Sequence, residues 1–309
     1  MKRIVGIGAN CHDNLITLTK FPKEDTKLRA QSVIPAGGGP CATGLAAAAK
    51  LGAAASYIGY IADDSSGTFL IEDLKRFNVS VDNVEIKENC RSFVCYVMLS
   101  EEEKTRTIVF DKGTVPPLTL TQKHKQEIEK ASVLMVDGND LDAAVAAAEH
   151  ARTNNVNVLY DAGCLYDGVE RLLPYSNILI PSEEFALGIT GERDVSAAAE
   201  KLFSAYKPDV IVITCGAAGG IMYDGGSIKE YPAFPVSAVD TNGAGDVFHG
   251  AFAFCLAKGY DFYKCCVFSS AVSALKCTRL GSRRGVPSFG ETIKFLKERG
   301  IDEFEKDMG

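Results

Sequence analysis

The chain has 309 residues, 46% of them hydrophobic and 24% charged, with a formal net charge of −7 at neutral pH. That size buries a substantial core, as one large α/β domain or two smaller ones. The acidic balance argues against nucleic acid as a partner, and no run of about 18 apolar residues is present to cross a membrane.

In chain order, Met1-Lys2-Arg3 leads directly into an apolar strand at 3–8, without a secretory leader, so a cytoplasmic protein is expected. Gly6-Ile7-Gly8-Ala9-Asn10-Cys11 imitates part of a dinucleotide fingerprint, but Cys11 stands where the third glycine belongs and no helical pattern opens there. Residues 15–35 lack helical periodicity and read as extended. A glycine-rich turn then precedes a helix at 43–51, a strand at 54–60 and a helix at 67–77. Residues 90–111, with a polar turn at 101–104, form a second extended piece. Beyond it, helices at 120–130, 141–153, 183–190 and 195–206 alternate with strands at 133–136, 156–160, 178–180 and 210–214. Such alternation predicts a mostly parallel sheet covered on both faces, with ligands at the carboxyl ends of its strands. Residues 293–306, dense in alternating charge, read as a surface helix. The ten cysteines have no metal-ligand spacing and read as reduced, buried small hydrophobes.

The stretch from Asp240 to Ala251, Asp-Thr-Asn-Gly-Ala-Gly-Asp-Val-Phe-His-Gly-Ala, is the most informative. Gly243 and Gly245 let backbone approach a ligand and take positive φ. The amides of Gly243, Ala244 and Gly245 open a helix, where unpaired N–H groups and the helix dipole favour phosphate. Asp246 beside this cradle repels an anion unless it has a task, and accepting the proton of an attacking hydroxyl is that task. His249 reads as packing, and Arg283-Arg284 as a solvated pair.

This segment resembles the C-terminal signature of the PfkB/ribokinase family of carbohydrate kinases, and Gly37 to Gly52, Gly-Gly-Gly-Pro-Cys-Ala-Thr-Gly-Leu-Ala-Ala-Ala-Ala-Lys-Leu-Gly, resembles its N-terminal signature. The motifs are most similar to the branch containing sulfofructose kinase and fructokinase-like proteins. The resemblance implies a ribokinase-like three-layer α/β/α fold with a mostly parallel sheet. Residues 1–14, 36–89 and 112–309 would form the main domain, and 15–35 and 90–111 a small β-sheet lid over the sugar. It further implies an ATP-dependent kinase with Asp246 as general base and Asp13, Gly38, Gly39, Thr43 and Asn139 on the substrate. Thr214, Gly216, Gly219, Thr241, Ala271 and Ala274 would meet the nucleotide. Relatives organise Mg²⁺ through an Asn and a Glu where this chain has Ser182 and Phe185. Glu183 or Glu184 would substitute, acting through water, or phosphate oxygens and water would hold most of the metal. K⁺ would be held by carbonyls near 271–281 in some relatives. The strand end Asp137-Gly138-Asn139-Asp140 is acidic and lacks Arg, which favours a neutral sugar, a ketohexose such as fructose. Sulfofructose kinase, nucleoside kinase and a non-catalytic sensor are the alternatives. Pairing of lids through an apolar row of Phe93, Cys95, Val97 and Leu99 would give a homodimer.

Overall fold

The structure is a computed structural model describing residues 3–103 and 105–304; Lys104 of the expected 101–104 turn and the end of the expected 293–306 helix lie outside these. The strands are β1 Arg3–Ile7, β2 Cys11–Leu18, β3 Ser32–Gly38, β4 Ala54–Ala62, β5 Val79–Lys87, β6 Val94–Ser100, β7 Arg106–Asp111, β8 Ala131–Val136, β9 Asn157–Ala162, β10 Ile178–Pro181, β11 Val210–Thr214, β12 Gly220–Tyr223 and β13 Lys229–Tyr231. The α-helices are α1 Pro40–Leu51, α2 Ser65–Arg76, α3 Gln122–Glu129, α4 Leu141–Thr153, α5 Glu183–Thr190, α6 Val195–Tyr206, α7 Ala244–Lys258, α8 Phe262–Cys277 and α9 Phe289–Lys297.

Short β-branched runs such as Val210–Thr214 are buried on both faces, as a parallel sheet covered by helices requires. Nine strands form that sheet in the order β13-β12-β11-β10-β9-β8-β1-β4-β5, antiparallel only at β11–β12 and β12–β13. Alternation along the strands feeds two apolar layers. Ile4, Val133, Leu159 and Val212 join α1, α7 and α8 on one face, and Val5, Leu134, Val158 and Ile211 join α4 and α6 on the other. The result is the three-layer α/β/α arrangement. No helix among the described residues is long and apolar enough to cross a membrane.

Small residues let α1 and α7 approach closely. A Cβ on Gly250 would sit 2.0 Å from the Gly44 carbonyl oxygen, so the two helices pack backbone against backbone over one face of the sheet. Strand β5, absent from the sequence reading, pairs with β4; its polar and exposed positions hide the strand pattern. The last helix begins at Phe289 behind a Ser288/Glu291 capping box and ends at Lys297, ahead of Gly300 at φ 78°, which corrects the expected 293–306 span.

The extended segments form a separate four-stranded sheet, β3-β2-β6-β7. Its strands overrun the expected limits, starting at Cys11 and closing at Gly38, so Asp13 lies inside β2 instead of before it. The inner face is Cys11, Leu15, Ala36, Cys95 and Val97, flanked by Phe93 and Leu99. The row expected to be exposed therefore faces inward. The outward alternation exposes Val33, Tyr96 and Val109, at 58%, 47% and 55%.

Candidate active site

Gly243, at φ 74°, caps α7, and a Cβ there would lie 2.5 Å from the Ser282 side chain. Gly245 is not left-handed, contrary to expectation. It sits in the first turn with open space beside it, so its lack of a side chain leaves the amides accessible. Asp246 follows, half-buried. Burial raises its carboxyl to about 7, the Asp161 carboxylate adds to the rise, and His249 opposes it.

His249 does more than pack. Its Nδ1 faces the Gly245 carbonyl at 2.7 Å and its Nε2 the Ile180 carbonyl at 3.0 Å, with Asp161 Oδ2 3.2 Å from Nδ1. Carbonyl oxygens only accept, so only a doubly protonated ring donates to both. Burial pushes the imidazole pKa down, and the two carbonyls push it up. The ring ties the first turn of α7 to the end of β10.

On the facing side, Asp13 is buried in β2 against Gly38 of the paired β3, where a Cβ would meet its carboxylate at 2.3 Å. Burial raises the Asp13 carboxyl; the Cys11 thiol, donating at 3.3 Å, and the Arg283 guanidinium oppose that. Gly39, at φ 92°, turns the chain into α1 beside the Ala9 carbonyl. Asn139 lines a cavity of about 150 Å³ together with Gly8, Asn10, Tyr57, Lys112 and Asp140. Asp137 does not face it freely, because its oxygens accept from the Ala9, Cys41 and Asn139 amides at 2.8, 3.0 and 2.9 Å. Thr43 is fully buried, its hydroxyl 3.5 Å from Arg283 Nε.

Arg283 corrects another expectation. Only Arg284 of the pair is exposed; Arg283 is buried and donates to Asp73 Oδ2 at 2.8 Å, Asn10 Oδ1 at 2.9 Å and the Gly38 carbonyl at 2.6 Å. Asn10 Nδ2, also buried, has no partner among the described residues. A lone Asn after a strand and an Arg in a glycine-rich loop gave little sequence signal. Asp161, at a strand's carboxyl end, was the one legible omission.

At the other end of the cleft, Thr214 closes β11 and Gly216, at φ 57°, stands in open space. Gly219 serves the hairpin instead, since a Cβ there would lie 2.3 Å from the Tyr231 carbonyl. Thr241 is exposed and accepts from Arg106 Nη1 of β7 at 3.1 Å, a contact bridging the two sheets' parts of the cleft. Ala271 is wholly inside the core and offers no surface to a ligand, whereas Ala274 is half-buried. Glu183 and Glu184 are exposed in the first turn of α5; Ser182 caps that helix and Phe185 is core. Cys164 is exposed, and Cys90, Cys215 and Cys277 are half-buried, so the thiols are less uniformly interior than expected.

A family profile described as pfkB family carbohydrate kinase matches residues 1–288. The chain is 28% identical over 301 residues to a ribokinase of Bacillus subtilis, covering 96% of this chain and all of that one. It is 24% identical to a 5-dehydro-2-deoxygluconokinase of Bacillus velezensis, covering 95% and 94% of the two chains. Among solved structures, Arabidopsis thaliana ribokinase complexed with ribose and ATP superposes with a TM-score of 0.84 at 22% identity, over 96% of this chain and 99% of that one.

Proposed function

The chain belongs to the pfkB family of carbohydrate kinases, phosphotransferases acting on a hydroxyl group, and on that premise we propose that it moves the γ-phosphoryl group of ATP to a primary hydroxyl of a small neutral sugar. One observation carries the reading: a carboxyl held near 7 in the first turn of α7, at a helix start opened by Gly243 and with free space beside Gly245. A base with a pKa close to the working pH is deprotonated often enough to act and basic enough to pull. Asp246 takes the hydroxyl proton as the new O–P bond forms and the bond from the γ-phosphorus to the bridging oxygen of ADP breaks. The amides meet the charge of the transferring group without reorganising.

Gly216 and Thr241 border the nucleotide end, and Asp13, Asn10 and Asn139 the sugar end, where carboxylate and amide groups suit hydroxyls. Neither Glu183 nor Glu184 enters an ion pair among the described residues, so both carboxylates suit the water shell of Mg²⁺ carried in by phosphates, which when bound neutralises charge on the γ-phosphate.

The acceptor is a ketohexose such as fructose, with ribose as the second reading that the full-length ribokinase match favours. A neutral acceptor follows from the charges at the sugar end: Arg283 is taken by Asp73, Arg91 by Asp111, and Lys112 lies in the cavity with Asp140. An anionic sugar would bring charge into a cavity that no guanidinium lines among the described residues. Across a panel of sugars, sulfosugars and nucleosides assayed by ADP formation, kcat/KM for fructose or ribose should exceed that for a sulfonated ketose by about tenfold or more. The reverse order would move the protein to the anionic-sugar branch, and no turnover with any acceptor would make it a sensor.

The small sheet acts as the lid, its inner face toward the cleft and Arg106 reaching Thr241. Hydrogen exchange in 15–35 and 90–111 should slow together when sugar and an ATP analogue bind; independent behaviour would sink the lid. Its exposed Val33, Tyr96 and Val109 are the surface through which two lids would pair.

A further inference from the structure

Lys276 is completely buried in the last turn of α8, one of the few charged side chains in the core. Such a group persists only where it is fully coordinated. Its ammonium donates to the backbone carbonyl of Asp240 at 2.7 Å and to that of Asn242, and lies 3.8 Å from Asp240 Oδ2. The Asp240 carboxylate in turn accepts from the Asn242 and Gly281 amides, both at 2.8 Å. The Val239 and Asp240 amides donate to the Cys277 carbonyl at the end of the same helix. The Asp240 and Asn242 carbonyls are therefore turned toward one positive charge, the Thr241 carbonyl between them accepts from the Ala244 amide at 3.3 Å, and the segment leads straight into Gly243.

Backbone carbonyls plus one carboxylate are what a bound monovalent cation would ask of a protein. Here the chain's own ammonium occupies that arrangement. We propose that Lys276 is a built-in monovalent cation that sets the geometry of the Gly243–Gly245 cradle and makes nucleotide binding independent of K⁺. The proposal rests on the reading of that cradle as the phosphate site. The other charges facing Lys276 are Arg106 from the small sheet, which opposes its protonation, and Asp246 across the cradle, which favours it. Burial lowers the Lys276 pKa, and Asp240 counters this most. The groups around its nitrogen, two carbonyl oxygens and a carboxylate, can only accept, which is the surrounding an ammonium requires.

The test compares KCl, NH₄Cl and choline chloride at equal ionic strength, with Mg²⁺ held constant. Calorimetric ADP affinity of the unaltered protein should agree within about twofold among the three salts. Lys276→Ala, which opens space for a small cation, should melt lower in choline chloride and regain part of the loss in KCl or NH₄Cl. Lys276→Met fills the same space without charge, so it should melt lower and show no such recovery. The inference is overturned if the unaltered protein binds ADP more than about fivefold tighter in KCl than in choline chloride. It is equally overturned if Lys276→Ala responds to the salts no differently from Lys276→Met. Should the unaltered protein bind no ADP in any salt, the nucleotide reading fails, while the melting comparison still decides the fate of Lys276.

Discussion

Replacing Asp246 by Asn should lower kcat by about 10² to 10⁴-fold while leaving ADP affinity nearly unchanged, because the amide keeps the shape of the carboxylate and cannot take a proton. Retention of turnover within about threefold would remove Asp246 from the role. The pH dependence gives the same claim a second reading. The carboxyl is held up to about 7, so the unsubstituted enzyme should gain activity as pH rises through that value and level off above it. The stability consequence has the opposite sign. In the unfolded chain the group ionises near the ordinary carboxylate range, so between that range and about 7 the folded form is progressively penalised for keeping its proton. Asp246→Asn should therefore melt higher than the parent at pH 8, with the difference vanishing as pH falls below 4. A variant that is both inactive and less stable at pH 8 would indicate damage to the helix end, not loss of a base.

The end of the site proposed to take phosphate was legible because its local structure is written in consecutive residues. A positive-φ glycine, an open helix start and a carboxylate in the first turn need only local sequence, and Gly243 to Asp246 fall where that reading puts them. Helices α4, α5 and α6 were equally clear, since apolar periodicity and flanking polar caps bound them within one stretch. What could not be read is long-range. Thr43 and Asp137 have suitable chemistry for a sugar, yet their polar atoms are engaged by Arg283, by the distant Ala9 and Cys41 amides and by the Asn139 amide two residues on. The inner row of the small sheet failed for a related reason. Period two identifies Phe93, Cys95, Val97 and Leu99 as one face, but which face meets protein depends on Cys11, Leu15 and Ala36 in strands the row itself does not specify. Ala271 illustrates the same limit: it lies in α8 on the side turned wholly into the core, which the residue's own identity does not reveal. Lys276 and Arg283 look alike in sequence to any surface cation, and burial alone separates them from Arg284.

Arg283→Ala should have the largest effect on stability of any single substitution near the site, lowering the unfolding free energy by about 3 to 5 kcal/mol. The guanidinium and the Asp73 carboxylate are both buried and meet at 2.8 Å directly above Gly37, where a Cβ would lie 2.2 Å from either of them. Removing the arginine leaves the buried carboxylate with only the largely exposed Arg76 guanidinium at 3.6 Å and strips a donor from Asn10 and from the Gly38 carbonyl. Because those two lie at the end proposed for the sugar, the variant should also raise KM for the acceptor more than KM for ATP. Arg283→Lys should fall between, since one ammonium cannot reproduce a fork that reaches Asp73, Asn10 and Gly38 together. The pairing, as distinct from packing, is isolated by adding Asp73→Asn. If the uncompensated carboxylate dominates the loss, the double variant Asp73→Asn with Arg283→Ala should recover about a third or more of the lost stability in urea unfolding. A double variant as weak as the sum of the two single ones would show that the charge pair contributes little and that the arginine acts by filling space between α2 and the glycine turn.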